Sequence, residues 1–193
     1  MRLFAAIDVT DDARLAIAAL QKRLKAATAD NARLKLVRAD QLHLTLVFIG
    51  EVDEGRGRAI VECMTMAIDQ DPFEMVFDGI GVFPAGGAPH ILWLGVTAGT
   101  EAAVRLQREV ADRLEELGVS RERRPYSPHL TLARWREGTR SDARRLLAEP
   151  VGLVARVPVR AVTLYQSQLS AAGPTYVALS HAPLVRPSVQ RDM

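Results

Sequence analysis

Hydrophobic positions run almost unbroken from Leu3 to Val9, which predicts a buried strand. Thr10 stands where a helix N-cap would, ahead of Ala13, Ile17, Leu20 and Leu24 on one helical face. A second β-rich run covers His43 to Gly50, and Ile60, Cys63, Met64 and Ala67 recur behind it at helical spacing. "FEMVFDGIGVF" from Phe73 and "ILWLGVT" from Ile91 then read as two strands joined by a surface loop, "PAGGAPH". The clearest helix opens at Thr100 and Glu101, carries Ala103, Leu106, Val110, Leu114 and Leu117 as its stripe, and ends at Gly118. The order then repeats. The arginine-rich "SRERRPYSP" leads to a strand from His129, a short helix capped by Ser141 follows, and the chain closes on a long β segment, "VARVPVRAVTLYQS", and a final strand, "TYVALS".

One tetrapeptide occurs twice in this pattern, His-Leu-Thr-Leu at His43 to Leu46 and again at His129 to Leu132. In a strand, successive side chains point to opposite faces, so His43 shares a face with Thr45, and His129 with Thr131, while the leucines turn to the core. If the two strands lie about a pseudo-twofold axis, two imidazoles and two hydroxyls converge. Histidine titrates near neutrality, so one imidazole can be neutral while the other is protonated. One base and one acid on opposite sides of a phosphorus atom suffice for in-line displacement at a phosphodiester, and threonine hydroxyls can donate to its non-bridging oxygens. A single His-x-Thr is ordinarily a half-buried histidine bonded to its neighbours; two identical copies in matching contexts favour chemistry.

Composition narrows the class. The chain has 193 residues, 48% of them hydrophobic and 25% charged, and a net charge of +2, which argues neither for disorder nor for bulk attachment to nucleic acid. The single Cys63 cannot form an intrachain disulfide, Asp8 interrupts any signal-peptide core, and no apolar run reaches membrane-spanning length. A soluble cytoplasmic protein is expected. Lysine occurs only at Lys22, Lys25 and Lys35, so nearly all positive charge is arginine, which suits phosphate but is equally what a compositional bias would give. Neither motif carries a second ligand at zinc spacing, no G-x-S-x-G or phosphate-binding glycine loop is present, and His90 and His181 read as surface residues without a role. No linker divides the chain: residues 1–184 are expected to form one bilobal domain and 185–193 a flexible tail.

The two HLTL motifs, with "RLFAAID" at the start, "LVFIGEV" after the first motif, "GVFP" and "LWLGV" in the middle, "PHLTLAR" at the second motif and "VTLYQS" near the end, resemble the two-histidine (2H) phosphoesterase superfamily. Within it the likeness is to the RNA 2′,3′-cyclic phosphodiesterases, also called 2′-5′ RNA ligases. The resemblance implies an α+β bilobal fold in which two antiparallel sheets flank a central groove with pseudo-twofold symmetry, helices outside. It also implies hydrolysis of 2′,3′-cyclic phosphate RNA ends to 2′-phosphates without metal or other cofactor, acting as a monomer on RNA such as tRNA fragments. By position His43 would be the proton donor and His129 the proton acceptor, with Thr45, Thr131 and Arg134 holding phosphate. Strict alternation puts Arg134 on the leucine side of its strand, so it would need a bulge to reach the groove. Phe48, Arg123, Arg124 and Tyr126 are further groove candidates, although the pattern around Phe48 points first to core packing. Many relatives have tryptophan where Leu36 stands here, which removes one expected stacking surface. Ligation by the reverse reaction, hydrolysis of a small cyclic nucleotide and non-catalytic binding of RNA ends are the competing readings.

Overall fold

The first apolar run forms strand β1 (Arg2–Asp8), and Thr10 caps helix α1 (Asp11–Ala26), its Oγ1 accepting from the Ala13 N–H at 3.3 Å. The computed structural model describes residues 1–28, 33–170 and 173–186. After α1 come β2 (Leu34–Leu36), a 3-10 turn (Ala39–Gln41), β3 (His43–Glu51), α2 (Glu54–Cys63), β4 (Ile68–Asp69) and the pair β5 (Phe73–Phe83) and β6 (Ile91–Ala98). The second half holds α3 (Thr100–Glu115), β7 (His129–Trp135), α4 (Arg140–Leu147), β8 (Leu153–Val159), β9 (Ala161–Ser170) and β10 (Gly173–Val185).

The strands form two five-stranded sheets, ordered β3-β1-β9-β10-β4 and β2-β7-β6-β5-β8. The pairing is antiparallel except where β10 runs parallel to the two-residue β4. Each motif strand pairs antiparallel with a strand that in turn pairs antiparallel with a third, so β3-β1-β9 in one sheet matches β7-β6-β5 in the other. Each long helix crosses over: α1 follows β1 but packs on β7 and β8 of the other sheet, and α3 follows β6 but packs on β3. One continuous cluster of buried side chains, with Leu44, Leu46, Leu130 and Leu132 inside it, runs through both sheets and the helices.

Several local expectations change. Ala67 lies exposed beyond α2, while Met64 and Ile68 are buried, because the chain leaves the helix to make β4. Gly99, with φ at +80°, precedes α3, and a Cβ there would strike the Glu74 backbone carbonyl. The cap of α4 is Thr139, not Ser141: Thr139 Oγ1 accepts from Asp142 N–H at 3.2 Å while the Asp142 carboxylate accepts from Thr139 N–H at 3.0 Å, a reciprocal box. The long final β segment is two strands in different sheets, since Val159 pairs with Phe73 but Ala161 pairs with Pro183. Unbroken apolar alternation does not reveal a change of sheet. The last strand extends to Val185, and Arg186 reaches Asp71 at 3.2 Å; the rest of the expected tail, 187–193, lies outside the described residues.

Both motif strands contain a bulge at the same place. Thr45 faces Ala6 and Val47 faces Ala5, leaving Leu46 extra; Thr131 faces Trp93 and Ala133 faces Leu92, leaving Leu132 extra. Two consecutive residues therefore turn inward, and Leu132 and Ala133 are both fully buried. Beyond the bulge the parity is reversed. A bulge frees backbone groups from the ladder, and here the neighbouring carbonyls are held from the other half of the chain. The Leu132 carbonyl accepts from Gln21 Nε2 at 2.7 Å and from Val37 N–H at 2.9 Å, and the same Gln21 nitrogen donates to Val37 O at 2.9 Å. The Thr45 carbonyl accepts from Tyr126 Oη at 2.8 Å.

Gln21 is 4% exposed on a helix face otherwise made of apolar residues. Replacing it with leucine keeps the bulk and removes two donors from buried carbonyls. Gln21→Leu is expected to lower stability by about 1–3 kcal/mol, measured as a reduced urea midpoint; an unchanged midpoint would show that the clamp is dispensable.

Candidate functional site

The two histidines are set by the same local device. His43 Nδ1 lies 2.7 Å from the carbonyl of Gln41, and His129 Nδ1 lies 2.8 Å from that of Ser127, each two residues back along the chain. A carbonyl can only accept, so each Nδ1 carries hydrogen and each Nε2 is left to give or take a proton. The turn supplying the first carbonyl is itself fixed: Arg14 donates to the carbonyls of Ala39 and Leu42 at 2.8 and 3.2 Å, and Gln41 Nε2 donates to the Pro174 carbonyl on β10. His43 Nε2 stands 3.1 Å from Thr45 Oγ1, so the pair shares a face.

Aromatic rings flank both imidazoles. Phe4 lies 4.9 Å from His43 between ring centres, and Tyr176 meets it edge-on at 5.4 Å. Phe83 meets His129 edge-on at 5.1 Å, and Trp93 lies at 6.2 Å. Trp93 can lie there because residue 81 is glycine: a Cβ on Gly81 would overlap the indole ring. Burial pushes the His43 imidazole below its ordinary proton affinity. The Gln41 carbonyl and Asp8 act to raise it, and the charges of Arg14 and Arg134 lower it further.

That influence of Arg134 on His43 puts a β7 cation within electrostatic reach of the β3 histidine. The bulge explains how. Arg134 pairs with Ile91, on the same side of β6 as Trp93 and Gly95, the partners of Thr131 and His129, so all three side chains share one face. The same step on β3 delivers Phe48 opposite Phe4; Phe48 is 73% exposed, which overturns the core reading of its pattern. Arg134 and Phe48 are thus equivalent positions, a cation in one half and an aromatic in the other.

The remaining candidates divide. Tyr126 is half-buried with its hydroxyl committed to Thr45, and burial raises its proton affinity, keeping it a neutral donor; it clamps the strand instead of lining an open wall. Arg123 and Arg124 are exposed on the loop before β7. Leu36 is half-buried against the core, pairing with Ala133. Two groups went unread in the sequence. Lys35 on β2 lies directly opposite Arg134, a like-charge pair that a strand ladder does not favour by itself. Asp8, opposite His43, accepts from Thr163 Oγ1 and Tyr165 Oη, both at 2.6 Å, and Thr163 Oγ1 lies 2.9 Å from His181 Nδ1, so His181 belongs to a network near the site. Neither carried a signal in the sequence: Lys35 meets Arg134 only through the pairing of β2 with β7, and Asp8 merely ends an apolar run.

Among the described residues no cluster of three or more histidine, cysteine or carboxylate side chains is placed to hold a metal ion, and no helix is long and apolar enough to cross a membrane. Two hollows, of about 330 and 210 Å³, are lined by neither motif histidine: one lies between α1 and the segment 151–154, the other at the Asp8, Thr163 and His181 end of the sheet.

Comparison with known proteins supports the same grouping. The RNA 2′,3′-cyclic phosphodiesterase of Archaeoglobus fulgidus is 35% identical over 179 residues, 91% of this chain and 96% of that protein. Its namesake from Methanothermobacter thermautotrophicus is 36% identical over 182 residues, 91% and 95% respectively. Among solved structures, E. coli LigT complexed with 3′-AMP superposes with a TM-score of 0.76 at 25% identity, covering 96% of this chain and 98% of that one. A Thermus thermophilus protein superposes with a TM-score of 0.75 at 28% identity, covering 95% and 97%. The family model of the 2′-5′ RNA ligase superfamily matches residues 9–170, and with both motifs inside that span the chain belongs to this superfamily.

Proposed function

We propose that this protein hydrolyses 2′,3′-cyclic phosphates at RNA ends to 2′-phosphates, with His43 and His129 as general acid and base. The observation that carries the reading is the matched pair of imidazoles, each with Nδ1 bonded to a backbone carbonyl and Nε2 left for proton transfer. His129 Nε2 takes a proton from water as its oxygen bonds to phosphorus; the bond to the 3′ oxygen breaks, and His43 Nε2 supplies the proton that oxygen needs. Thr45 and Thr131 donate to non-bridging oxygens, and the Arg134 charge stabilises the negative charge that builds on them. A bound phosphodiester anion opposes the burial that lowers the proton affinity of His43, so the substrate itself favours the protonated acid. RNA fragments with such ends, including those cut from tRNA, are the substrate class, and a single chain is the working unit because it supplies both motifs. The names of the relatives and the family match support this assignment.

His43→Ala and His129→Ala are each expected to lower kcat by roughly two to four orders of magnitude with native circular dichroism. A substrate with a good leaving group at the 3′ oxygen needs no acid, so it should largely rescue His43→Ala and leave His129→Ala impaired. Turnover near wild type in either variant would end the two-histidine mechanism, and rescue of the His129 variant instead would exchange the roles. A 3′-phosphate product would reverse the orientation of the substrate.

Excess EDTA is expected to leave the rate unchanged, since among the described residues no three histidine, cysteine or carboxylate side chains are grouped to hold a metal ion. Loss of activity restored by zinc or manganese would overturn this.

Arg123, Arg124 and Lys35 extend the positive charge beyond the reacting phosphate. Neutralising them is expected to weaken oligonucleotide binding more than mononucleotide binding and to flatten its salt dependence. Equal affinity for long RNA across salt concentrations would assign them to solvent.

A further inference from the structure

Three strands of one sheet, β3-β1-β9, match three of the other, β7-β6-β5, yet the reaction needs two different histidines. The two differ in the residue facing each one across its ladder. His43 faces Asp8; His129 faces Gly95. No side chain can be accommodated at Gly95, because a Cβ there would come within 2.9 Å of the Asp78 carbonyl. The carboxylate at the first site has no counterpart at the second.

Asp8 is held with some care. β1 alternates regularly, with Leu3, Ala5 and Ile7 in the core cluster, so Asp8 shares the other face with Phe4, whose ring lies against His43. Thr163 and Tyr165, two apart on β9, take one carboxylate oxygen each. Thr163 is 1% exposed, and its one hydroxyl hydrogen goes to Asp8, so it accepts from His181 Nδ1–H. Both oxygens are thus fixed by donors, in a partly buried setting where charge acts strongly.

We propose that Asp8, fixed by Thr163 and Tyr165 and facing His43 but not His129, is the positioning residue that makes the two histidines inequivalent and assigns the acid role to His43. The groups acting on His43 are Asp8 from β1, the Gln41 carbonyl and Thr45 along its own segment, Arg14 from α1, Arg134 from β7, and the Phe4, Tyr165 and Tyr176 rings. Among the charged members, Asp8 alone favours the imidazolium; both arginines and burial oppose it. Without the carboxylate, His43 would lose one of the groups that oppose the effect of burial on its proton affinity.

The proposal rests on the acid and base reading above, and its test separates the two. The His43 and His129 ring signals are titrated by NMR in substrate-free wild type and Asp8→Asn. The His43 midpoint is expected to fall further in the variant, with that of His129 unmoved. Sign follows from the group: a histidine that loses a carboxylate partner holds its proton only at lower pH, so the rate deficit is largest on the alkaline side and shrinks as pH falls. At neutral pH, kcat/KM for the cyclic phosphate is expected to drop on the order of tenfold, part of what a general acid supplies, and the good-leaving-group substrate should be spared. An unmoved His43 midpoint, or equal movement of both histidines, would overturn the proposal whatever the activity. If His43→Ala retained turnover, the acid and base reading would fall while the titration still decided the role of Asp8. Should Asn disturb folding, read from circular dichroism and the His129 signal, Asp8→Ser gives the same comparison with a smaller neutral side chain.

Discussion

A strictly alternating strand cannot show residues three apart on one face, so Thr131 and Arg134 meet only because Leu132 is extra, and Thr45 and Phe48 only because Leu46 is. The rest of the site depends on those two bulges. Each frees a carbonyl near the core, where an unpaired acceptor is costly, and each carbonyl is claimed from far along the chain: Leu132 by Gln21, 111 residues away, and Thr45 by Tyr126, 81 residues away. The clamps run in opposite senses, from the first half to the second motif and from the second half to the first. The bonds that make the bulges tolerable therefore also tie each motif strand to the other half of the chain.

This exchange explains why each long helix serves the other sheet. α1 must reach β7 for Gln21 to find the Leu132 carbonyl, and its remaining inward face, Ala13, Ile17, Leu20 and Leu24, is apolar as packing there demands. α3 lies behind β3 with a stripe of Ala103, Leu106, Val110 and Leu114. Separating the sheets would expose these stripes and strand the bulge carbonyls together. The site sits between elements that cannot relax independently, which suits a reaction requiring two imidazoles at fixed separation.

How far the sequence carried the structure follows from which signals are local. The Thr10 cap, the two leucine pairs and the α3 stripe are decided by residues within a turn or two, and they were legible. The split between β8 and β9 was not, because alternation continues through Pro158 and Arg160 while the partner strand changes. The same limit governed the site. His43, Thr45, His129 and Thr131 stand out by repetition, and the need for a bulge at Arg134 could be argued from parity alone. Lys35, Asp8, Gln21 and the clamping role of Tyr126 depend on pairings across the ladder or across the chain, and no residue near them announces those partners. Phe48 misled for a related reason: its apolar side chain in a strand suggests the core, and only the extra residue before it turns it outward.

The same parity step then has different consequences in the two halves. On β7 it presents a guanidinium beside the Lys35 ammonium; on β3 it presents the exposed Phe48 ring beside Phe4, at 6.4 Å. Cations suit phosphate, and an exposed ring next to another offers a flat apolar surface on which a nucleobase can stack. Aromatic rings stand by both imidazoles, but the sheet of β3 adds the Asp8 carboxylate opposite His43, and the sheet of β7 adds Arg134 with Lys35 opposite it. A duplicated frame that held identical residues would bind a substrate equally well in either direction. At Asp8 and Gly95, and again at Phe48 and Arg134, positions that the matched strands make equivalent carry different side chains, so the chemistry around one motif is not that around the other.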